Sequence, residues 1–215
     1  MKPHPALSGS PRYSAEEFRR RAEMHIAGTP GDFLQYGDYK LNAGAELSLD
    51  NMDLKDAAVL IGVVEQDDDA RVIFTQRTST LRKHSGQIAF PGGKLDSGET
   101  PESAALREAE EEIGLARHFV DVIGHLPSIP VMSGFRITPV LATVRAGFEL
   151  TLNPDEVEFV FDAPLSFLMN PANHSRERRK FGEREWYYYV MPYEDRRIWG
   201  ITAGIVRSVY ERLYE

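Results

Sequence analysis

Glu108, Glu111 and Glu112 are three and four residues apart, the intervals that bring side chains to one side of a helix. Glu110 lies among them and Gly114 follows two residues after Glu112, so the four carboxylates fall in the last turn of a helix that the glycine stops. That position is electrostatically adverse: the carbonyl end of a helix favours Lys or Arg by about 0.3–1 kcal/mol per group. Like charges at these spacings cost roughly 0.2–0.5 kcal/mol per pair more. Residues that break a local rule without compensation tend to mark a functional site, and the missing compensation here is a bound cation. Carboxylates are hard oxygen ligands of the kind Mg²⁺ or Mn²⁺ accepts alongside substrate phosphates. From spacing alone, a solvated acidic helix face is the competing reading.

The helix that must carry these groups has clear punctuation. Thr100 suits the N-cap, Pro101 the first helical position, Glu102 the positive end and Gly114 the C′ position. At about 100° per residue, Ala105, Leu106, Ala109 and Ile113 share one face. Glu108, Glu111 and Glu112 share a neighbouring arc with Ala104, and Glu110 is expected to face solvent.

Upstream, the spacing continues. Gly93 is followed after five residues by Glu99, and after seven more by Arg107-Glu108-Ala109-Glu110-Glu111-Glu112-Ile113-Gly114-Leu115. Residues 93–115 resemble the 23-residue signature of the Nudix hydrolases at every fixed position. The resemblance implies a loop–helix–loop that binds divalent cations and directs water onto a phosphorus of a diphosphate linked to a further group. It implies Glu108, Glu111 and Glu112 as catalytic metal ligands, with the Gly93 carbonyl as a further metal contact. It also implies that Arg107 and the supporting Glu99 brace helix and loop through a salt bridge. Their plainer roles would be for Arg107 to neutralise its Glu neighbours and for Glu99 to precede a turn.

Charge is segregated around this segment. Arg71 to Leu95 holds Arg71, Arg77, Arg82, Lys83 and Lys94 with no acidic residue, whereas Asp96 to Glu112 holds seven acids against Arg107 alone. Such an arrangement suits a polyphosphate gripped by cationic side chains on one side and carboxylate-held metal on the other. A net charge of −8 would otherwise repel an anionic nucleotide. Ile73-Phe74-Thr75-Gln76-Arg77-Thr78, Arg82, Gly86 and Phe90-Pro91-Gly92-Gly93 further resemble the motif of the coenzyme A pyrophosphatase branch, with Thr78 where that branch usually has Ser or Ala. Ser133-Gly134-Phe135, Ile137-Thr138-Pro139-Val140 and Ile198-Trp199-Gly200-Ile201-Thr202-Ala203 are also similar to it. This second resemblance implies cleavage of coenzyme A or its derivatives into 3′,5′-ADP and 4′-phosphopantetheine.

Coenzyme A carries a 3′-phosphate besides its diphosphate, and Arg77 and Arg82 are the candidates to bind it. Their plainer readings are a strand-end Arg77 paired with an acid of the helix and a solvated Arg82. His84 reads as a loop histidine, because no carboxylate nearby in sequence would orient it. The run Arg176, Arg178, Arg179 and Lys180, interleaved with Glu177, Glu183 and Arg184, reads as a solvated hairpin. The general base is open between Glu108 and the pair Glu156 and Glu158. Two rivals stand beside the coenzyme A reading. One is hydrolysis of another nucleoside diphosphate derivative such as ADP-ribose. The other is a ligand-sensing module, which would lack metal-ligand carboxylates that are all present here.

Composition fits without deciding. A chain of 215 residues with 42% hydrophobic content can bury one substantial core. The reading is a Nudix hydrolase domain over 54–215 preceded by an N-terminal extension over 1–53 that caps the sheet edge, forms a dimer contact or covers the substrate entrance. No apolar run approaches a membrane span and Met1 to Ser14 has no signal-like apolar stretch, so a soluble, cytoplasmic protein without a membrane partner is expected. Absence of cysteine excludes disulfides, thiolate catalysis and Cys-based zinc sites. The acidic balance and the lack of a nucleic-acid motif argue against a nucleic-acid partner. The expected partner is a small molecule, and a homodimer is compatible with the sequence.

Residues 1–13, rich in Pro, Ser and Gly, read as loose. Ser14 and Glu17 form a capping box for a helix to about Ile26, and Gly28 to Asp53 reads as a linker or an irregular wrap. Strands are predicted at Ala57–Val64, Arg71–Thr75, Ile88–Phe90, Phe119–Leu126, Arg136–Val144, Val157–Phe161 and Trp186–Met191, and a closing helix at Thr202–Leu213. In Val157–Phe161 the alternation places Val157, Phe159 and Phe161 on one face and Glu156, Glu158 and Val160 on the other. The order of elements implies an α/β fold, a Nudix-type α/β/α sandwich with helices flanking a mixed sheet.

Overall fold

Ala57 to Val64 carries no charged residue, the mark of a strand covered on both faces. In the computed structural model, which describes residues 12–28, 32–42, 44, 53–66, 68–78, 86–181 and 184–215, this run lies in β1 (Lys55–Val64), with its residues almost entirely buried. Its parallel partner is β7 (Phe135–Val144), paired from Lys55↔Phe135 to Val64↔Val144. β2 (Arg71–Arg77) pairs with β1 antiparallel only at Val63↔Val72 and Val64↔Arg71, after which the two strands diverge. The opening is filled by β3 (Ile88–Ala89) against β2 and β4 (Gly92–Lys94) against β1. β5 (Val120–His125) and β6 (Ile129–Val131) pair antiparallel with β7, and β8 (Val157–Pro164) pairs antiparallel with β2.

Helices cover both faces of this mixed sheet. On one face α2 (Pro101–Ile113) buries Ala104, Ala105, Ala109 and Ile113 in a cluster with Leu60, Val140 and Ala142. On the other face α1 (Ala15–Gly28) and α4 (Ile201–Leu213) share a larger core that includes Phe18, Phe74, Leu141, Val206 and Val209. The short α3 (Leu165–Leu168) follows β8. A second, three-stranded antiparallel sheet of β9 (Ser175–Phe181), β10 (Arg184–Tyr193) and β11 (Arg196–Trp199) contributes Tyr189, Met191 and Ile198 to the same core. The basic run at 176–180 lies on the β9–β10 hairpin, exposed, with Arg178 paired to Glu185 and Glu177 to Arg197.

Several expectations are corrected. Tyr13, read as part of a loose terminus, has its carbonyl accept the Ala70 N–H at 2.9 Å and its ring stack on Tyr214 with centroids 6.0 Å apart. Residues 1–11 lie outside the described residues. Ser14 does cap α1, its Oγ accepting the Glu17 N–H at 3.1 Å. Glu17 does not close the box. Its carboxylate pairs with Arg20 and Arg21, each at 2.7 Å, which holds it well below the usual carboxylate range. Within the wrap, Phe33–Gln35 and Gly37–Leu41 form 3₁₀ turns and Tyr39 is buried. β4, β6 and β11 lacked any alternating signal, being short and, in the first two, built on Gly or Pro.

The facing of β8 also differs. The register shifts between Gln76 and Arg77, which pair with Phe159 and Val157 and leave Glu158 as an extra, exposed residue. This bulge turns Val157 to the α2 side with Val160, whereas Phe161 packs on the opposite face.

Because Phe18 is fully buried in the main core, α1 is part of the folding unit. Phe18→Ala is expected to cost about 3–5 kcal/mol in urea unfolding. A loss below about 0.5 kcal/mol would show the helix to be an appendage.

Candidate active site

The divergence of β1 and β2 and the end of α2 together make the site. α2 begins as its residues predict: the Thr100 hydroxyl accepts the Ser103 N–H at 3.2 Å and Pro101 takes the first turn. It ends at Gly114, whose φ of 69° is left-handed and costs glycine little. The terminal carbonyls of α2 are tied off from outside. Ile113 accepts the Thr151 N–H and Glu112 the Asn153 N–H, each at 2.9 Å. These bonds bring residues 151–156 against the helix end, so the Glu156 carboxylate joins those of α2.

Glu108, Glu112 and Glu156 each offer an oxygen, all within 4.8 Å of one another. Glu112 is only 2% exposed. Its Oε2 accepts the Gly92 N–H at 3.1 Å, and its Oε1 is 3.6 Å from the Arg77 guanidinium. Burial pushes its carboxyl up to about 7, with Glu108 and Glu156 adding to the rise and the Gly92 N–H and Arg77 opposing it. Burial likewise raises Glu108, against the pull of Arg107. Gly93 lies so close to Glu108 that a side chain at 93 would occupy the space of the Glu108 carboxylate.

Arg107 organises the outer side of the loop. Its Nε and one terminal nitrogen donate to the two oxygens of Glu99, both at 2.9 Å, and that second nitrogen also reaches the Lys94 carbonyl at 3.0 Å. The other terminal nitrogen bonds Glu108 and Glu111, each at 3.0 Å. Glu99 also accepts the Asp96 N–H at 2.8 Å, and these donors hold its carboxyl down at about 2.

The structure therefore brings together Glu108, Glu112, Glu156, Arg77 and the backbone of Gly92 and Gly93. Glu111 is placed apart, more than half exposed and held on Arg107. Glu110 faces solvent and pairs with Arg117. Glu156 entered the sequence reading only as a candidate base. What signalled its place was Asn153-Pro154-Asp155, a turn able to hand its amides to a helix end. Glu158 is exposed at the bulge. Arg71, counted among the basic residues, pairs with Asp162 at 2.6 Å, and Lys94 lies over the Phe135 ring. Arg82, Lys83 and His84 lie outside the described residues.

Three carboxylates that cannot all be charged without mutual repulsion, beside an arginine, form a donor set that fits a hard divalent cation. Residues 54–196 match the model of the NUDIX domain. The chain belongs to the Nudix family. It is 39% identical over 166 residues to the Nudix hydrolase NudL of Citrobacter koseri, covering 74% of this chain and 83% of that one. Against the NudL of Escherichia coli K12 it is 36% identical over 168 residues, covering 76% and 85%. Among solved structures it is similar to a MutT/nudix family protein from Enterococcus faecalis, 17% identical, covering 84% of this chain and 72% of that one, with a TM-score of 0.48. The chain is thus a Nudix pyrophosphohydrolase acting on a nucleoside diphosphate derivative. Among the described residues no helix is long and apolar enough to cross a membrane.

The raised Glu112 carboxyl has a stability consequence. The folded Nudix domain holds a proton there up to about pH 7, whereas the unfolded chain releases it near 4.5. The contribution of Glu112 to stability in chelator is therefore fully present below 4.5 and is lost as pH rises through 7, by about 1–3 kcal/mol. Glu112→Gln is expected to remove this part of the pH dependence in thermal melts from pH 4.5 to 8, leaving the part that the buried Asp38 contributes. It is also expected to remove the rise in Tm that Mn²⁺ or Mg²⁺ gives the parent protein. The same pH dependence of Tm in the parent and in Glu112→Gln would contradict the assignment.

Proposed function

We propose that this Nudix hydrolase cleaves the diphosphate of coenzyme A or its derivatives, giving 3′,5′-ADP and 4′-phosphopantetheine or its acyl form. The observation that carries the reaction is the approach of the Glu108, Glu112 and Glu156 carboxylates to within 4.8 Å of one another. Glu108, Glu112 and Glu156 would hold Mg²⁺ or Mn²⁺, with the Gly93 carbonyl and Glu111 completing the set by their places in the signature. A divalent cation bound there supplies neutralisation of the diphosphate oxygens and makes water a better acid.

The rest falls to the chain. Arg77 sets positive charge beside the acids, where its pairing with Glu112 offsets part of their charge. Arg107, through its paired bonds to Glu99, holds the loop and the Glu108 carboxylate in one arrangement, so little reorganisation is needed when substrate binds. Glu108 or Glu156 takes the proton from water as its oxygen forms the new bond to phosphorus. The bridging P–O bond breaks and its electrons stay with the departing phosphate. For coenzyme A as the substrate, support comes from the Arg77-centred motif between 73 and 93 and from the three later segments of the same pattern. Arg77 and Arg82 are assigned to the additional 3′-phosphate.

ADP-ribose lacks that phosphate, and dephospho-coenzyme A lacks it too. Product analysis with coenzyme A, dephospho-coenzyme A and ADP-ribose, each with Mg²⁺ or Mn²⁺, is expected to show fastest release of 3′,5′-ADP from the first. Glu112→Gln should lower kcat by at least about 100-fold. Faster turnover of ADP-ribose would reassign the substrate. Unchanged rates in Glu112→Gln would remove the helix from the mechanism.

A further inference from the structure

Opposite α2, the other face of the molecule holds a cavity of about 770 Å³, within the range of small-molecule sites. Its floor comes from the N-terminal segment that precedes the matched family domain. Phe33, Asp38 and Tyr39 line it together with Met132, Trp186 and Trp199. Tyr39 meets Phe33 and Trp186 edge-on, with centroids 4.9 and 5.7 Å away. The Tyr39 hydroxyl donates to the Pro130 carbonyl, which fastens the segment to β6.

One charged group is buried in this aromatic enclosure. Asp38 is only 8% exposed. Its Oδ1 accepts the Tyr189 N–H at 3.0 Å, and among the described residues its Oδ2 accepts no hydrogen bond. Burial pushes the carboxyl up to about 7, so this acid destabilises the fold where an apolar side chain would not. Gly204 of α4 leaves it room, for a side chain there would approach the carboxylate to 3.0 Å. A buried acid with an unused acceptor, in a cavity of ligand size, points to a ligand that donates.

The cavity adjoins the active site across the divergence of β1 and β2. Gly200 on its rim lies beside the Gln87 side chain. The Gln87 carbonyl accepts the Arg77 N–H at 3.1 Å, and Arg77 reaches Glu112. A substrate with its diphosphate at α2 would have to turn around this edge to enter the cavity. Walls of Tyr, Trp and Phe suit a neutral, amide-bearing half of the substrate, and the lining adds one exposed charge of each sign, Arg179 and Glu185.

We infer that residues 33–39 build a subsite for the amide-bearing, phosphate-free arm of the substrate, with Asp38 accepting an amide N–H and the aromatic rings packing on its methylene and methyl groups. The inference rests on the coenzyme A reading for the identity of the arm, and it makes the N-terminal segment part of substrate recognition. Asp38 acts here on ligand binding rather than on the reacting phosphorus.

The chain has two tryptophans, and both line the cavity, so their emission reports on its occupancy. Titration of the full-length protein with pantetheine, which has the amides and no phosphate, is expected to shift that emission saturably. Asp38→Asn, which keeps an acceptor for Tyr189 but presents an NH₂ to the ligand, should weaken binding at least tenfold and raise the KM for coenzyme A in parallel. Trp199→Leu, which retains Trp186 as reporter, should do the same if the Asn variant fails to fold. No saturable shift with pantetheine, equal affinity in the variants, or a shift given by adenosine alone would each overturn the inference. Coenzyme A turnover by the parent protein is measured alongside. Turnover without a pantetheine response leaves the proposed reaction standing and removes the subsite, whereas a pantetheine response without turnover supports the subsite and removes the reaction.

Discussion

Burying the Glu112 carboxylate at the negative end of α2 is the constraint around which the site is assembled. At 2% exposure the group needs donors, and each donor fixes a different segment. Its Gly92 N–H partner requires β4 to run close beside the helix, which in turn requires β1 and β2 to part. Arg77, at the far end of β2, comes within 3.6 Å only because β2 leaves β1 after two paired residues. The helix-end carbonyls, which would add to the negative field, are taken up by the amides of Thr151 and Asn153. That capping delivers Glu156. The unresolved repulsion among three carboxylates is what a cation relieves, so the cost of the arrangement and its chemistry have one origin.

The strongest elements were legible because local chemistry and tertiary environment agree. Thr100, Pro101 and Gly114 take the cap positions their side chains favour, and the apolar runs at 57–64 and 136–144 become the two central strands. Where they disagree, the sequence misled. The bulge at Glu158 depends on how β8 meets the end of β2, so simple alternation put Val157 on the wrong face. Gly92–Lys94 has no strand propensity and pairs only because the divergence of its neighbours exposes an edge. Helical spacing grouped Glu111 with Glu108 and Glu112 but could not reveal that Arg107 draws it outward. Asp38 carried no signal at all: it is one acid in an irregular stretch, and its burial is created by Gly204 and Tyr189, well over 100 residues away.

The two faces of the sheet divide the labour. The α2 face concentrates charge and hydrogen-bond donors, as polyphosphate chemistry demands. The opposite face carries the larger apolar and aromatic core, with Asp38 and Glu211 as its buried acids, and the N-terminal segment reaches it through α1 and the turns that follow. β3 and β4 bridge the parted strands between them.

The parallel pairing of β1 with β7 also shapes how the protein comes into being. Its partners are 80 residues apart in the chain, from Lys55 to Phe135, so the central ladder closes a long loop before it gains any contact. On a ribosome, α2 and its acids emerge while β1 still lacks its main neighbour, and Glu156 and α4 follow later still. Glu156 is thus remote from the α2 carboxylates during synthesis, and their convergence is a late event of folding. High sequence separation of this kind slows folding and leaves the apolar strand at 57–64 exposed in the interval, making early chain compaction and chaperone capture competitors for the same segment.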